Sequence, residues 1–385
     1  MIPYGRQDIT QEDIDTVVDV LRSDYLTQGP KVPEFEKSIQ DYCGVAHAVA
    51  VNSGTSALHV ACLALNLGPG DEVWTSPITF VASANCARHC GANVEFVDID
   101  PRTYNLSTEA LEDKLKDRKN SGGTLPSVVI PVHFGGQSCD MVAIRALSDE
   151  FGFRIIEDAS HAIGGRYRDK TIGSCRYSDI TVFSFHPVKI VTTAEGGVAT
   201  TENAALAQKM VLLRNNGVTR DPALMTRPAD GQWYYEQLEL GYNYRMTDIQ
   251  AALGCSQMQR LDEKVSIRHQ IANRYDAGLA ALPLVLPFRE DFSYSAFHLY
   301  VVLLEEALAS NRRAVFESLR ERGIGVNVHY IPVHTQPYFR RLGFQTGDYP
   351  YAEDYYARAL SIPLFPTLTR EQQDEVIAAL TSALS

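Results

Sequence analysis

The 385-residue sequence has no surplus of basic residues and no cysteine framework. Each absence closes off a class of function. With 35 Lys and Arg against 47 Asp and Glu, the formal net charge of −12 argues against non-specific binding to nucleic acid or to an anionic membrane. An anionic substrate stays open, because a cleft can carry a local field opposite to the global sign. No apolar run approaches the length that spans a bilayer. Seven cysteines, an odd set without disulfide spacing, suit free thiols in a reducing compartment. Cys86 and Cys90 flank His89, but no second Cys or His pair stands at zinc-ligand spacing, so packed thiols are expected and no metal. Met1-Ile2-Pro3-Tyr4-Gly5-Arg6 lacks a basic start followed by an apolar core, and a cytoplasmic enzyme is expected.

What is present is ordinary for a globular chain: 45% apolar and 21% charged residues. The length suffices for two domains and a core that needs no cross-links. Thr10-Gln11-Glu12-Asp13 reads as a helix start, with Ile14, Val17, Val18 and Leu21 at helical spacing and an end near Gln28-Gly29-Pro30. A second helix opens at Ser53-Gly54-Thr55-Ser56, presents Leu58, Cys62 and Leu65, and stops at Gly68-Pro69-Gly70. Strands are expected over 73–76, 94–98, 128–132, 154–158 and 180–185. Several are continuously apolar, which marks strands covered on both faces, and their alternation with helices implies a mostly parallel α/β sheet. After Arg260 the texture changes to a helix over 262–282, a strand over 299–304, a helix, a strand over 325–329 and a closing helix from Glu371. The expected division is a large α/β domain with an N-terminal arm, 1–260, and a small C-terminal α+β domain, 261–385.

His133, Asp158 and Ser184 fall just beyond strand ends, at the edge where open α/β sheets bind ligands. Lys189 follows in Ser184-Phe185-His186-Pro187-Val188-Lys189, with Glu195-Gly196-Gly197 shortly after. A lysine able to form a Schiff base, an acid able to hold a pyridinium nitrogen and an anion site make a pyridoxal phosphate (PLP) pocket. Lys189 would need a neutral amine, which burial favours. Asp158 would keep the ring nitrogen protonated, so that the ring accepts electrons from a substrate carbanion. His161 is either near the cofactor's 3-oxygen or an ordinary packed histidine. Gly54, Thr55 and Ser56 offer free N–H groups and hydroxyls at a helix start, where a phosphate is favoured. Phe80 either stacks on the ring or packs in the core. Asn243 and Arg245, in Gly241-Tyr242-Asn243-Tyr244-Arg245, are anion-binding candidates or part of a tyrosine-rich surface loop. His329 and Tyr330 are candidates to face substrate.

These residues resemble the DegT/DnrJ/EryC1/StrS sugar aminotransferases. The resemblance runs through Ile2–Gln7, Leu26–Pro30, Ser53–Leu58, Ser76–Ser83, Glu157-Asp158-Ala159, Phe183–Lys189 and Asn243–Asp248, nearly the whole chain. It implies PLP fold type I: a mostly parallel central sheet with helices on both faces and a smaller C-terminal α+β domain. By position, Lys189 would bind PLP and shuttle protons, Asp158 would hold the pyridine nitrogen and Phe80 would stack. Thr55, Ser56 and Ser184 would hold the phosphate, with Asn243 reaching it from the other subunit of a homodimer. Tyr4, Asp24, Tyr25, Leu26, Thr27, Arg245, His329 and Tyr330 would line the nucleotide-sugar pocket. Within the family, Ile2–Gln7, 75–86 and 326–332 are most similar to members on the route to pseudaminic acid. These aminate C4 of UDP-2-acetamido-2,6-dideoxy-β-L-arabino-hexos-4-ulose, with L-glutamate as donor and pyridoxamine phosphate as the intermediate cofactor form.

Two departures stand out: His161 where many relatives carry Gln, and Ala194 where Gly is common. Relatives with His in place of Lys189 are sugar dehydratases; Lys189 favours transamination. A PLP-binding regulator would need a DNA-binding appendage, and no helix-turn-helix or basic patch is visible.

Overall fold

The computed structural model describes residues 1–385. Seven strands form the central sheet, in the order His47–Val51, Gly197–Thr201, Ile180–Ser184, Arg154–Asp158, Val128–Ile130, Glu72–Thr75, Asn93–Phe96. The last five are mutually parallel, whereas Gly197–Thr201 runs antiparallel to both its neighbours.

Strand alternation sends neighbouring side chains into separate cores. Val49, Val51, Val182 and Ala199 pack with the helix Gly54–Ala64. Ala48, Ala50, Phe183 and Val198 pack on the opposite face with the helices Lys31–Cys43 and Asp248–Met258. Toward the other edge, Trp74, Val97, Val129 and Ile155 meet the helices Thr108–Asn120 and Met141–Phe151. The apolar strands are covered on both faces, as their sequences require.

Several elements depart from expectation. The helix Lys31–Cys43 and the strands His47–Val51 and Gly197–Thr201 were not anticipated. Pro30 precedes a new helix rather than a loop, which suits a residue whose fixed φ fits a first turn. The segment 325–329 is not a strand. It makes a lone bridge, Asn327 to Ser361, while its start pairs with the N-terminal arm: Ile2 N–H donates to Gly323 O at 2.8 Å and Gly325 N–H to Ile2 O at 2.6 Å. The third strand of the small antiparallel sheet is Ala359–Ile362, on one side of the central Tyr300–Leu304, with Leu284–Val285 on the other. Helices Leu261–Leu279, Arg312–Glu321 and Arg370–Leu384 close a core around Tyr275, Tyr300, Leu319 and Leu380.

Candidate active site

A cavity of about 400 Å³ opens at the carboxyl ends of the parallel strands. Lys189 enters it from a loop that returns on itself. Phe185 N–H donates to Gly196 O at 2.9 Å and Thr193 N–H to Phe185 O at 3.0 Å, tying the loop at its base. Within it Ala194 has φ of +65°, the left-handed region that explains a preference for glycine there. Lys189 Nζ makes no hydrogen bond or ion pair. Desolvation lowers its pKa from 10.5 to about 8, against an opposing pull from the Asp158 charge.

Asp158 ends its strand and is buried. The Ser83 hydroxyl donates to its Oδ2 at 2.6 Å, and Ser160 N–H to its Oδ1 at 3.1 Å. Thr79 Oγ1 lies 2.7 Å from Ser83 Oγ. Since Ser83 spends its proton on the carboxylate, Thr79 donates to Ser83. Two hydroxyls thus prop an anion that faces the cavity.

The helix Gly54–Ala64 aims its N-terminus at the same space. Ser53 caps it by accepting from Ser56 N–H at 3.1 Å, leaving the N–H groups of Gly54 and Thr55 without acceptors in the chain. A side chain cannot be accommodated at Gly54 as the backbone stands, because its Cβ would meet Ser184 Cβ at 2.8 Å. At Gly197 it would meet Ser53 O at 2.4 Å. These glycines seat the helix end against the strand ends, with the Ser184 and Thr55 hydroxyls beside the free N–H groups.

Imidazoles close the far wall. Gly135 N–H donates to His161 Nδ1 at 3.3 Å, so neutral His161 carries its proton on Nε2 and donates to Tyr330 Oη, 3.0 Å away. Burial, then Lys189 and His329, holds His161 well below the ordinary histidine range. His329 donates from Nδ1 to Ser361 Oγ at 2.8 Å; burial and then Lys189 bring its pKa to about 4. Neutral His298, 4.4 Å from His161 between ring centroids, completes the set.

Of the residues singled out in the sequence, Tyr4, Gly54, Thr55, Phe80, Asp158, His161, Ser184, Lys189, His329 and Tyr330 line this cavity. Phe80 is 57% exposed, so it is not core packing. His133 is elsewhere: it is fully buried and its Nε2 lies 2.7 Å from Glu157 Oε2, on the sheet side of the strand end. Ser56 turns inward and donates to Asn52 Oδ1 at 2.7 Å. Asp24, Tyr25, Leu26 and Thr27 lie on the surface of the chain, and Asp248 N–H donates to Leu26 O at 3.0 Å. Arg245 donates to Asn215 Oδ1 at 2.7 Å beside a second cavity, and Asn243 is exposed. Sequence reasoning passed over Ser83, Ser160 and His298, and gave Glu195, quoted beside Lys189, no role of its own. The four-residue spacing of Thr79 and Ser83 was a signal for the first; His298 had none.

A profile of the DegT/DnrJ/EryC1/StrS aminotransferase family matches residues 7–381. The chain belongs to this family. It is 42% identical over 383 residues to the spore coat polysaccharide biosynthesis protein SpsC of Bacillus subtilis, covering 98% of this chain and 96% of that one. It is 38% identical over 367 residues to the UDP-4-amino-4,6-dideoxy-N-acetyl-β-L-altrosamine transaminase of Campylobacter jejuni, with 94% and 92% covered. Helicobacter pylori PseC, an aminotransferase of pseudoaminic acid biosynthesis, superposes with a TM-score of 0.90 at 30% identity, over 100% and 99% of the two chains. Members of the family are PLP-dependent sugar aminotransferases, and related structures solved in PLP and PMP forms cover the whole of this chain.

The cavity fits that cofactor on its own terms. It holds a desolvated amine, a buried carboxylate not paired with it, and an anion cradle of free N–H and hydroxyl groups.

Proposed function

We propose that this family member transfers the amino group of L-glutamate to C4 of a UDP-linked 4-keto-6-deoxy-N-acetylhexosamine, the β-L-arabino epimer made on the way to pseudaminic acid. The observation that carries the chemistry is Lys189 and Asp158 facing one cavity without pairing. The sugar rests on the likeness to the C. jejuni transaminase and to PseC. The relative at 42% identity, a spore coat polysaccharide protein, supports a second reading: another nucleotide-linked 4-keto sugar, such as the D-xylo epimer.

Bound PLP supplies an electron sink for the carbon whose proton moves. Around it, Asp158 would hold the ring nitrogen, Phe80 would cover a face, and Gly54, Thr55 and Ser184 would bind the phosphate. Lys189 Nζ, about half neutral near pH 8, would anchor the cofactor and move a proton between carbon atoms. Tyr4, His329 and Tyr330 would face the sugar. We further assign 1–260 to the cofactor-binding domain and 261–385 to the small domain. Residues 24–27 and 243–248 meet through the Thr27–Thr247 bridge, and none of them lines the chain's own cavity. This supports a homodimer in which Asn243, Arg245 and residues 24–27 complete the partner's site.

The test is transfer itself. Wild-type enzyme with L-glutamate and the 4-keto sugar should yield 2-oxoglutarate and a 4-amino sugar. Lys189→Ala and Lys189→Arg should yield neither, and near-normal turnover in either variant would overturn the mechanism.

A further inference from the structure

The cavity wall holds three buried imidazoles, and two of them are spent inside the chain. His161 accepts from Gly135 N–H and donates to Tyr330 Oη. His329 donates to Ser361 Oγ and accepts from Asn327 Nδ2 at 3.3 Å. His298 differs. It is 5% exposed and lines the same cavity, yet its buried Nδ1 meets no partner and its Nε2 bonds to nothing in the chain. No carboxylate pairs with the ring, and burial keeps it neutral. An orphaned buried N–H is rarer than an orphaned acceptor, so the proton belongs on Nε2, open to the cavity.

The backbone that delivers this ring is held from several sides. Phe297, immediately before it, has φ of +45°, a region an L-residue enters only at a cost. Ala296 N–H donates to Gly136 O at 2.9 Å and Leu299 N–H to Gly135 O at 3.2 Å. Arg268 is buried with no carboxylate paired to it. Its Nη1 donates instead to Phe297 O at 3.0 Å, His298 O at 3.3 Å and Leu364 O at 3.1 Å. A strained residue and a buried cation thus fix an imidazole whose own nitrogens gain nothing from the fold. Strain of this kind persists where the surroundings over-determine it, and it clusters at ligand sites.

The rest of the lining narrows what the free N–H can meet. Lys189 is the one Lys or Arg in the wall, and the carboxylates there, Asp158 and Glu195, make no bond to His298. We propose that His298 is a binding residue that donates its Nε2–H to an anionic oxygen of a molecule held in this cavity. Two sources carry such an oxygen. One is the phenolic 3-oxygen of PLP; the other is a carboxylate of the amino donor, which rests on the glutamate reading above.

His298→Phe and His298→Asn holoenzymes, compared with wild type, test this in two arms. Phe keeps the ring and replaces an unpartnered buried nitrogen with carbon, so its denaturation midpoint should not fall. Without amino acid present, a bond to the cofactor predicts that His298→Phe raises the PLP dissociation constant about tenfold or more and shifts the pH midpoint of its visible band. With L-glutamate, a bond to the donor predicts that half-saturation of the cofactor's conversion rises about tenfold or more at a similar limiting rate. In whichever arm responds, His298→Asn, which keeps an N–H, should recover part of the loss. Wild-type enzyme indifferent to glutamate would fault the donor, and an unaltered cofactor arm would then overturn the proposal. It is equally overturned if both arms stay unchanged, or if losses track a lowered midpoint and Asn recovers nothing.

Discussion

The Ser83 hydroxyl donates to Asp158 Oδ2 at 2.6 Å, and Thr79 in turn backs Ser83 at 2.7 Å. The carboxylate assigned to the cofactor ring is therefore held by a short relay of hydroxyls rather than by a cation. Hydrogen bonds to a charged group contribute about 1.5–3 kcal/mol. Ser83→Ala should therefore weaken PLP binding by roughly ten- to a hundredfold while leaving the fold intact. Equilibrium titration of the PLP-free variant with PLP measures this; unchanged affinity would remove Ser83 from the site.

Lys189 sets a pH dependence. In the PLP-free protein its pKa is about 8, below the ordinary 10.5. Because the neutral amine reacts, cofactor loading should accelerate about tenfold per pH unit below 8 and level off above it. The stability sign follows from proton counts. Between about 8 and 10.5 the unfolded chain holds the proton that the folded one has lost, so stability rises with pH. Lys264 is lowered to about 8 as well and adds the same trend. Chemical denaturation across that window should show a shallower rise for Lys189→Met than for wild type, whereas equal slopes would contradict the assignment.

Ala194, at φ +65°, occupies backbone space that costs an L-residue about 1–2 kcal/mol. Glycine there gives back part of the gain in unfolded-state entropy. Ala194→Gly should stabilise the protein by about 0.5–1 kcal/mol, read as a rise in denaturation midpoint at constant m-value. A loss of stability would show that the loop relaxes around alanine.

Tyr330 accepts the one free proton of His161. Tyr330→Phe leaves that N–H buried and unpaired, at about 1–3 kcal/mol in unfolding free energy. The double variant with His161→Phe should cost less than the two single changes summed. Additive costs would separate the residues.

Much of this was legible in the sequence, for identifiable reasons. Strands such as Arg154–Asp158 and Ile180–Ser184 are apolar runs ending in polar residues, so both the sheet and its ligand edge could be read together. Gly197–Thr201 escaped because it opens on the pair Gly196-Gly197, which reads as a turn, although Val198, Thr200 and Thr201 favour a strand and every residue is buried between neighbours. Ala359–Ile362 follows directly on the helix Pro350–Arg358, with no turn residue between them. His133 looked like a site residue by its place after a strand. One residue of register separates it from Val132, which lines the cavity, and alternation sends its side chain to Glu157. Ser83 and His298 come from outside the strand ends; only the spacing from Thr79 hints at the first, and only the folded geometry reveals the second.

The most direct measurement uses enzyme brought to its pyridoxamine form with L-glutamate and freed of 2-oxoglutarate. It is then offered the two C5-epimeric UDP-4-keto-6-deoxy-N-acetylhexosamines separately. Amination restores the absorbance of the aldehyde form of the cofactor. The account predicts recovery with the L-arabino epimer alone. Recovery with the D-xylo epimer alone would contradict the assigned sugar, and no recovery with either would contradict the whole substrate class.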